Sequence, residues 1–187
     1  MLILVGASAT GKTEIVKKLV SDYGIKKMVT YTTRSKRPNE VDGVDYNFIT
    51  KEEFLKLKEE NKFVETVCYN NNYYGTLKND VSDDKVVILE PSGLESFYSV
   101  FPDELMSVYI HTDKSIREKR MRSRGDSDES IAQRLAKDDE IFDINKISHI
   151  DQIILNNDEN NIDEVVSTIY KLYNTHCLLL NIVVCNE

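Results

Sequence analysis

The 187-residue sequence predicts an α/β fold, a parallel sheet flanked by helices, and three observations carry that prediction. A short apolar run at residues 2–5 feeds a glycine-bearing turn that opens a helical pattern. Strand-like runs recur at residues 86–90, 106–110 and 151–155. Helical stretches with their own start and stop signals separate these runs, the arrangement that yields parallel strands joined by right-handed crossovers and covered by helices in three layers.

Composition sets the outer bounds. The length suits one domain with a core large enough to need no disulfide or structural metal. A net charge of −8 with 41% apolar and 30% charged residues describes an ordinary globular chain whose acidity argues against a broad polyanion-binding face. No nucleic-acid polymer is therefore expected as a partner. Cysteines 68, 177 and 185 form no C-x-x-C pair and read as free thiols in a reducing compartment. Histidines 111, 149 and 176 lack metal-ligand spacing and are expected to be satisfied structural residues. The apolar start at Leu2 has no basic region before it and runs straight into the turn, so no secretory signal is expected and the location should be cytoplasmic.

Taken in order, residues 2–5 form the first strand, and Gly6-Ala7-Ser8-Ala9-Thr10-Gly11-Lys12-Thr13 fits G-x-x-x-x-G-K-[ST] at every fixed position. Glycines let such a backbone curl so that successive amides point inward at phosphate oxygens, at the positive end of the following helix. Lys12 would reach the β- and γ-phosphates of a nucleoside triphosphate and Thr13 would hold Mg²⁺. From Thr13, Ile15, Val16, Leu19 and Val20 recur at helical spacing, and Gly24 is the expected stop. Residues 27–31 read as a strand, and residues 30–43 as a polar loop marked by Pro38 and Gly43. Residues 45–49 return to strand alternation, Thr50 caps a helix over 51–60, residues 63–67 alternate again, and 70–72 turn into 73–76. Residues 31–77 thus form a small polar-faced subdomain inserted between core segments 1–30 and 78–174.

The run at 86–90 ends in Glu90, as a strand supplying a carboxylate to Mg²⁺ would. Ser92 is the expected cap of a short helix to about Phe101; 106–110 is the next strand. Asp113 caps a strongly basic helix closed by Gly125, and Asp126 with Glu129 has capping-box spacing for the following one, so about 113–138 reads as a helical lid. Residues 151–155 form the last core strand, and Ile162, Val165, Val166, Ile169 and Leu172 line a final helix ending near Tyr173.

Several groups admit two readings. Arg34 and Arg37, beside Thr30, Thr32 and Thr33 and joined by Tyr46 and Tyr74, make either a solvated basic loop or a fork for a second phosphate; the triphosphate loop favours the fork. Glu65 is either an exposed strand carboxylate or the acceptor for a base edge with two adjacent N–H donors, which among common bases is guanine. Arg117, Arg120 and Arg124 share a helix face that is either solvated or closes on a transferring phosphoryl group.

Together Gly6–Thr13, T-T-R-x-x-R-x-x-E-x-x-G-x-D-Y-x-F from Thr32 to Phe48, Phe63-Val64-Glu65, Tyr73-Tyr74-Gly75-Thr76 and Arg120-x-x-x-Arg124-Gly125 resemble guanylate kinase over about residues 1–173. The resemblance implies the P-loop NTPase fold with a nucleoside-monophosphate-binding insert and a helical lid. It implies ATP-dependent phosphorylation of GMP, and of dGMP with it, by direct in-line transfer with Mg²⁺. ATP would lie on Gly6, Ala7, Ser8, Ala9, Thr10, Gly11, Lys12 and Thr13, with Asn156 near the adenine. Arg34, Arg37, Tyr46 and Tyr74 would hold the GMP phosphate, Thr30, Glu65 and Thr76 would surround guanine, and Glu40 and Glu90 complete the GMP side. Lys12, Arg120, Arg124 and Arg134 would be catalytic, and Thr13 and Glu90 would face the metal.

Three departures stand out. Ile88 and Glu90 occupy the positions where the family usually carries two aspartates, so one carboxylate is lost and the other is a methylene longer. Thr30 stands where serine is usual. The apolar tail 175–187 runs past the usual end; it is too short to span a membrane and is expected to pack on the domain or pair as an edge strand. The sequence leaves a homo-oligomer open. Two rival readings also remain: a non-catalytic guanylate-kinase-like binding module, and a kinase of another nucleotide or sugar-phosphate acceptor.

Overall fold

A computed structural model of the chain describes residues 1–37, 40–69, 71–158 and 161–184. Pro38, Asn70 and Cys185, singled out above, lie outside the described residues.

The first strand, β1 (Leu2–Val5), is completely buried because it sits at the centre of a five-stranded sheet. Its alternate side chains serve opposite faces. Leu2 and Leu4 pack with Ile15, Val16 and Leu19 of α1 (Lys12–Tyr23) and with Val165, Val166 and Ile169 of α6 (Ile162–Val184). Ile3 and Val5 pack with Leu94 and Phe97 of α3 (Pro91–Val100) on the other side. Helices on both faces explain why β1 reads as a continuous apolar run, and they give the three layers. The order is β2 (Lys26–Lys27), β7 (Lys85–Ile88), β1, β8 (Met106–His111), β9 (Gln152–Leu155), every pairing parallel. All strands therefore deliver their C-terminal ends to one edge, where ligands of open α/β sheets bind.

Residues 31–77 build a second sheet in the order β4 (Asn47–Phe48), β3 (Tyr31–Thr32), β6 (Asn72–Leu77), β5 (Phe63–Tyr69). Its helix α2 (Lys51–Glu59) starts in a capping box, Thr50 with Glu53, and buries Phe54 against Phe63 and Tyr73 at ring-centroid distances of 4.4 and 5.4 Å. The single strand expected at 27–31 is two. The Met28 amide still bonds the Val86 carbonyl in the core sheet, whereas Tyr31 already pairs with Gly75 of the insert. Thr30 lies at the crossing.

Other local features also differ from expectation. α3 begins at Pro91, whose missing N–H suits the first helical position, so Glu90 rather than Ser92 occupies the cap and β7 stops at Ile88. α4 (Lys114–Ser123) follows Asp113 without a side-chain cap bond, and α5 (Asp128–Ile141) is capped by Ser127 rather than Asp126, because Asp126 is engaged by arginines. Val20 is 40% exposed and not part of the core. Residues 175–184 do not pair as a strand: they continue α6, with Cys177 packed on the core, as one alternative expected, and Leu178 and Leu179 exposed. Among the described residues no helix is long and apolar enough to cross a membrane.

Candidate active site

Between β1 and α1 the chain turns through Gly6 at φ +152° and Gly11 at φ +91°, with Ala9 also left-handed at φ +61°. Both glycines are required by space as well as angle. A Cβ on Gly6 would lie 2.5 Å from the Ile110 carbonyl oxygen, and one on Gly11 would lie 2.5 Å from Asn156 Nδ2. That same Nδ2 donates to the Thr10 carbonyl at 2.8 Å. Asn156, expected beside an adenine, is thus buried behind the loop with its amide engaged there, as a brace.

Lys12 folds back over the loop, its Nζ donating to the Gly6 and Ala7 carbonyls at 2.5 and 2.7 Å and to Thr10 Oγ1 at 3.2 Å. Burial pushes its ammonium down to about 8, with Asp138 and Glu90 opposing the shift. Lys12, Glu90 and Arg134 line one cavity of about 350 Å³. A second, of about 300 Å³, is lined by Thr30, Tyr46, Glu65, Tyr74 and again Glu90. A third, of about 310 Å³, brings Thr13 together with Thr30, Arg37, Glu40 and Tyr46. Ile88 lines all three, so the loop and the insert share one cleft whose junction carries an aliphatic side chain.

On the insert, Arg34 forks onto Glu40, Nη2 to Oε1 at 2.7 Å and Nη1 to Oε2 at 2.9 Å, with its guanidinium 5.5 Å from the Tyr46 ring centroid. Glu40 also accepts from the Arg37 amide at 2.9 Å, and Arg34 holds its carboxyl well below the usual range. Glu40 therefore shapes the arginine fork, and Arg37 remains exposed beside it. Glu65 Oε1 accepts from the fully buried Thr76 hydroxyl at 2.8 Å. Burial pushes the Glu65 carboxyl up to about 7, Glu90 adding to the effect and the Thr76 hydrogen bond opposing it. Thr76 acts on the cavity through Glu65.

The lid arginines are held by carboxylates, and of them Arg120 and Arg134 border the loop. Arg120 donates to the Ala9 and Asn156 carbonyls at 3.3 and 3.0 Å and pairs with Asp158; Arg124 and Arg134 both pair with Asp126. Arg117, grouped with them by spacing, is instead buried against Asp138. Sequence reasoning passed over Asp138, whose signal was its place one turn after Arg134 on the same helix face. His176 also departs from expectation: its Nε2 is buried without a hydrogen-bond partner.

The geometry joins the glycine-bearing loop to a second pocket with a half-buried carboxylate, Glu65, and to a third that Arg37 of the fork lines. A sequence model of the guanylate kinase family matches residues 1–173. The chain belongs to the guanylate kinase family. Among its relatives, the guanylate kinase of Schizosaccharomyces pombe is 36% identical over 188 residues, 95% of this chain and 89% of that one. That of Hydrogenovibrio crunogenus is 33% identical over 181 residues, 92% and 86%. The crystal structure of guanylate kinase from Anaplasma phagocytophilum superposes with a TM-score of 0.67 at 21% identity, covering 94% of this chain and 85% of that one, a likeness of fold. Family membership makes the chain a nucleoside monophosphate kinase, a phosphotransferase.

Among the described residues no group of three or more His, Cys, Asp or Glu side chains is placed to hold a metal. Of the two groups expected to face the metal, the Thr13 hydroxyl lines the third cavity and the exposed Glu90 carboxylate lines the first two. That sparse oxygen set fits a magnesium ion carried in on substrate phosphates, which keeps most of its ligands as phosphate oxygens and water.

Proposed function

We propose that this guanylate kinase family member transfers the γ-phosphoryl group of ATP to GMP, with the triphosphate on Gly6–Thr13 and GMP in the insert cavity. The observation that carries the reading is the continuity of the cleft: Lys12 at one end and Glu65 at the other border cavities that meet at Ile88 and Glu90. GMP lying along that path would place guanine on Glu65 and its phosphate between the Arg34–Arg37 fork and the loop. Tyr46 and Tyr74, whose rings meet edge to face at 6.1 Å, would add phenolic donors to the same phosphate.

Magnesium, held through Thr13 and Glu90, would supply charge neutralisation on the donor phosphates. A phosphate oxygen of GMP is already anionic, so no general base is needed, and the chain's task is alignment and charge stabilisation. Lys12 would leave the Gly6 and Ala7 carbonyls for the transferred group. Arg120, Arg124 and Arg134 would exchange Asp158 and Asp126 for phosphate oxygens as α4 and α5 close, excluding water.

Free Cys68 and Cys177 support a reducing, cytoplasmic setting. A coupled assay of ADP release across GMP, dGMP, AMP, CMP and UMP tests the reading: turnover confined to guanine nucleotides is expected. Equal use of AMP would overturn the acceptor assignment, and no turnover with any acceptor would favour a binding module.

A further inference from the structure

Asp138, on α5, has no part in the scheme above, yet its carboxylate sits on the phosphate loop. Its Oδ2 accepts from the Ser8 amide at 2.8 Å and its Oδ1 from the Ser8 hydroxyl at 3.3 Å. Ser8 is the third residue of the curled loop, and Ser8, Lys12 and Asp138 line the same cavity. An anion of the protein therefore already holds a donor pair on an anion-binding loop. Arg117 grips that carboxylate from behind, Nη1 to Oδ2 at 3.3 Å, and both side chains are only 8% exposed. Arg117 also approaches Asp139 Oδ1 at 3.5 Å, while its Nε is buried without a partner. The neighbouring loop residue Ala9 packs against Met121, Ile131 and Leu135 between α4 and α5, so loop and lid are in contact at two adjacent points. After burial, Asp138 is the strongest charge acting on Lys12.

A brace with no functional cost would have used a neutral acceptor. A buried carboxylate stabilised by its own arginine balances the loop's donors and Lys12 while the site is empty, and opposes any second anion that approaches the same donors. We propose that Asp138 is a positioning residue that stands in for phosphate on the empty loop, pinning α5 to Ser8 until an incoming triphosphate takes the Ser8 donors from it and leaves the carboxylate to Arg117. This rests on the loop's being the triphosphate site. It makes loop occupancy and lid position one linked equilibrium.

The test is titration calorimetry of the full chain with inorganic tripolyphosphate and with ATP, comparing wild type with Asp138→Asn. Asparagine keeps the size and an acceptor for Ser8 but carries no charge, and Asp139 still faces Arg117. Tripolyphosphate and ATP should bind ~5-fold more tightly to the variant, with GMP affinity unchanged. Affinity that is unchanged or weaker would mean a purely structural brace and overturn the proposal. A second measurement uses wild type alone, should the variant not fold. On saturation with tripolyphosphate the Ser8 amide resonance should move and gain coupling to phosphorus across the new hydrogen bond; an unmoved Ser8 amide overturns the exchange. Wild type that binds neither tripolyphosphate nor ATP would instead remove the triphosphate reading of the loop, and this proposal with it.

Discussion

Replacing Glu65 by glutamine isolates how the acceptor base is read. The carboxylate is half-buried, receives a 2.8 Å hydrogen bond from Thr76, and is pushed up to about 7 mainly by burial. Guanine offers N1–H and a 2-amino group, so only the ionised carboxylate accepts from both. The acid form dominates below about 7, so binding competence is lost as pH falls through that value. Roughly a tenth of empty sites would be ionised at about pH 6 and roughly nine-tenths at about pH 8, a ~9-fold rise in kcat/KM for GMP, which reports the free enzyme. Glutamine keeps one acceptor but turns a donor toward a donor. With hydrogen bonds to charged groups contributing about 1.5–3 kcal/mol each, kcat/KM for GMP should fall by roughly 10²-fold at about pH 8 and the GMP-to-AMP ratio should shrink. The assay is coupled ADP release with GMP and AMP across pH for both proteins. Titration of ATP and GMP phosphates is common to both, so the quotient of the two profiles isolates Glu65. Parallel pH profiles, or an unchanged GMP-to-AMP ratio, would refute the reasoning and return Glu65 to a structural role.

Lys12, lowered to about 8 in the empty site, should regain its proton when an anionic phosphate arrives. ATP binding at about pH 8.5 should therefore take up protons, seen as a dependence of the calorimetric heat on buffer ionisation, and Lys12→Ala should abolish that uptake and lower kcat by ~10³-fold. Arg34→Ala should chiefly raise KM for GMP, because the fork binds the acceptor phosphate in ground and transition states alike, whereas Arg124→Ala should chiefly lower kcat; finding the two patterns exchanged in steady-state kinetics would reverse the assignment of fork and lid. Truncation after residue 174 removes exposed Leu178 and Leu179 together with Cys177, which packs on the core. It should leave kcat within ~2-fold and reduce unfolding free energy by about 1 kcal/mol in a urea titration; a folded but inactive truncation would place the end of α6 in the site.

The sequence made the central strands legible because apolar runs of four or five residues bounded by turns have few other uses; β9, with only three apolar residues, lies at the sheet edge with Ile153 and Leu155 exposed. β1, β8 and β9 fall within a residue of their expected bounds. What escaped was set by long-range pairing. Nothing local at residues 27–31 says that Met28 bonds Val86 while Tyr31 bonds Gly75, so one strand was expected where the chain crosses between sheets. The caps of α3 and α5 were misplaced because Ser92 and Asp126 have good capping chemistry, while Pro91 and the demand of Arg124 and Arg134 for Asp126 decided the outcome. The extension of α6 was missed because an apolar C-terminal run suits a strand or a helix equally by composition.

For the site, motif spacing singled out Lys12, Arg34, Arg37 and the lid arginines, but not the carboxylates that hold Arg34 and the lid arginines in the empty cleft. Arg34 is held by Glu40, Arg120 by Asp158, and Arg124 and Arg134 by Asp126; the Ser8 donors of the loop are held by Asp138. The rule behind this is physical: guanidinium groups gathered for one phosphate would repel one another in the empty cleft unless anions were interleaved among them. A net charge of −8 therefore does not conflict with binding two polyanionic nucleotides. In the scheme proposed above each phosphate would exchange places with a carboxylate already in position, so substrate selection would rest on the difference between phosphate and carboxylate at each cation. That difference favours the ligand whose oxygens reach the loop, the fork and the lid together, a demand a nucleoside triphosphate and monophosphate in line can meet and an isolated anion cannot.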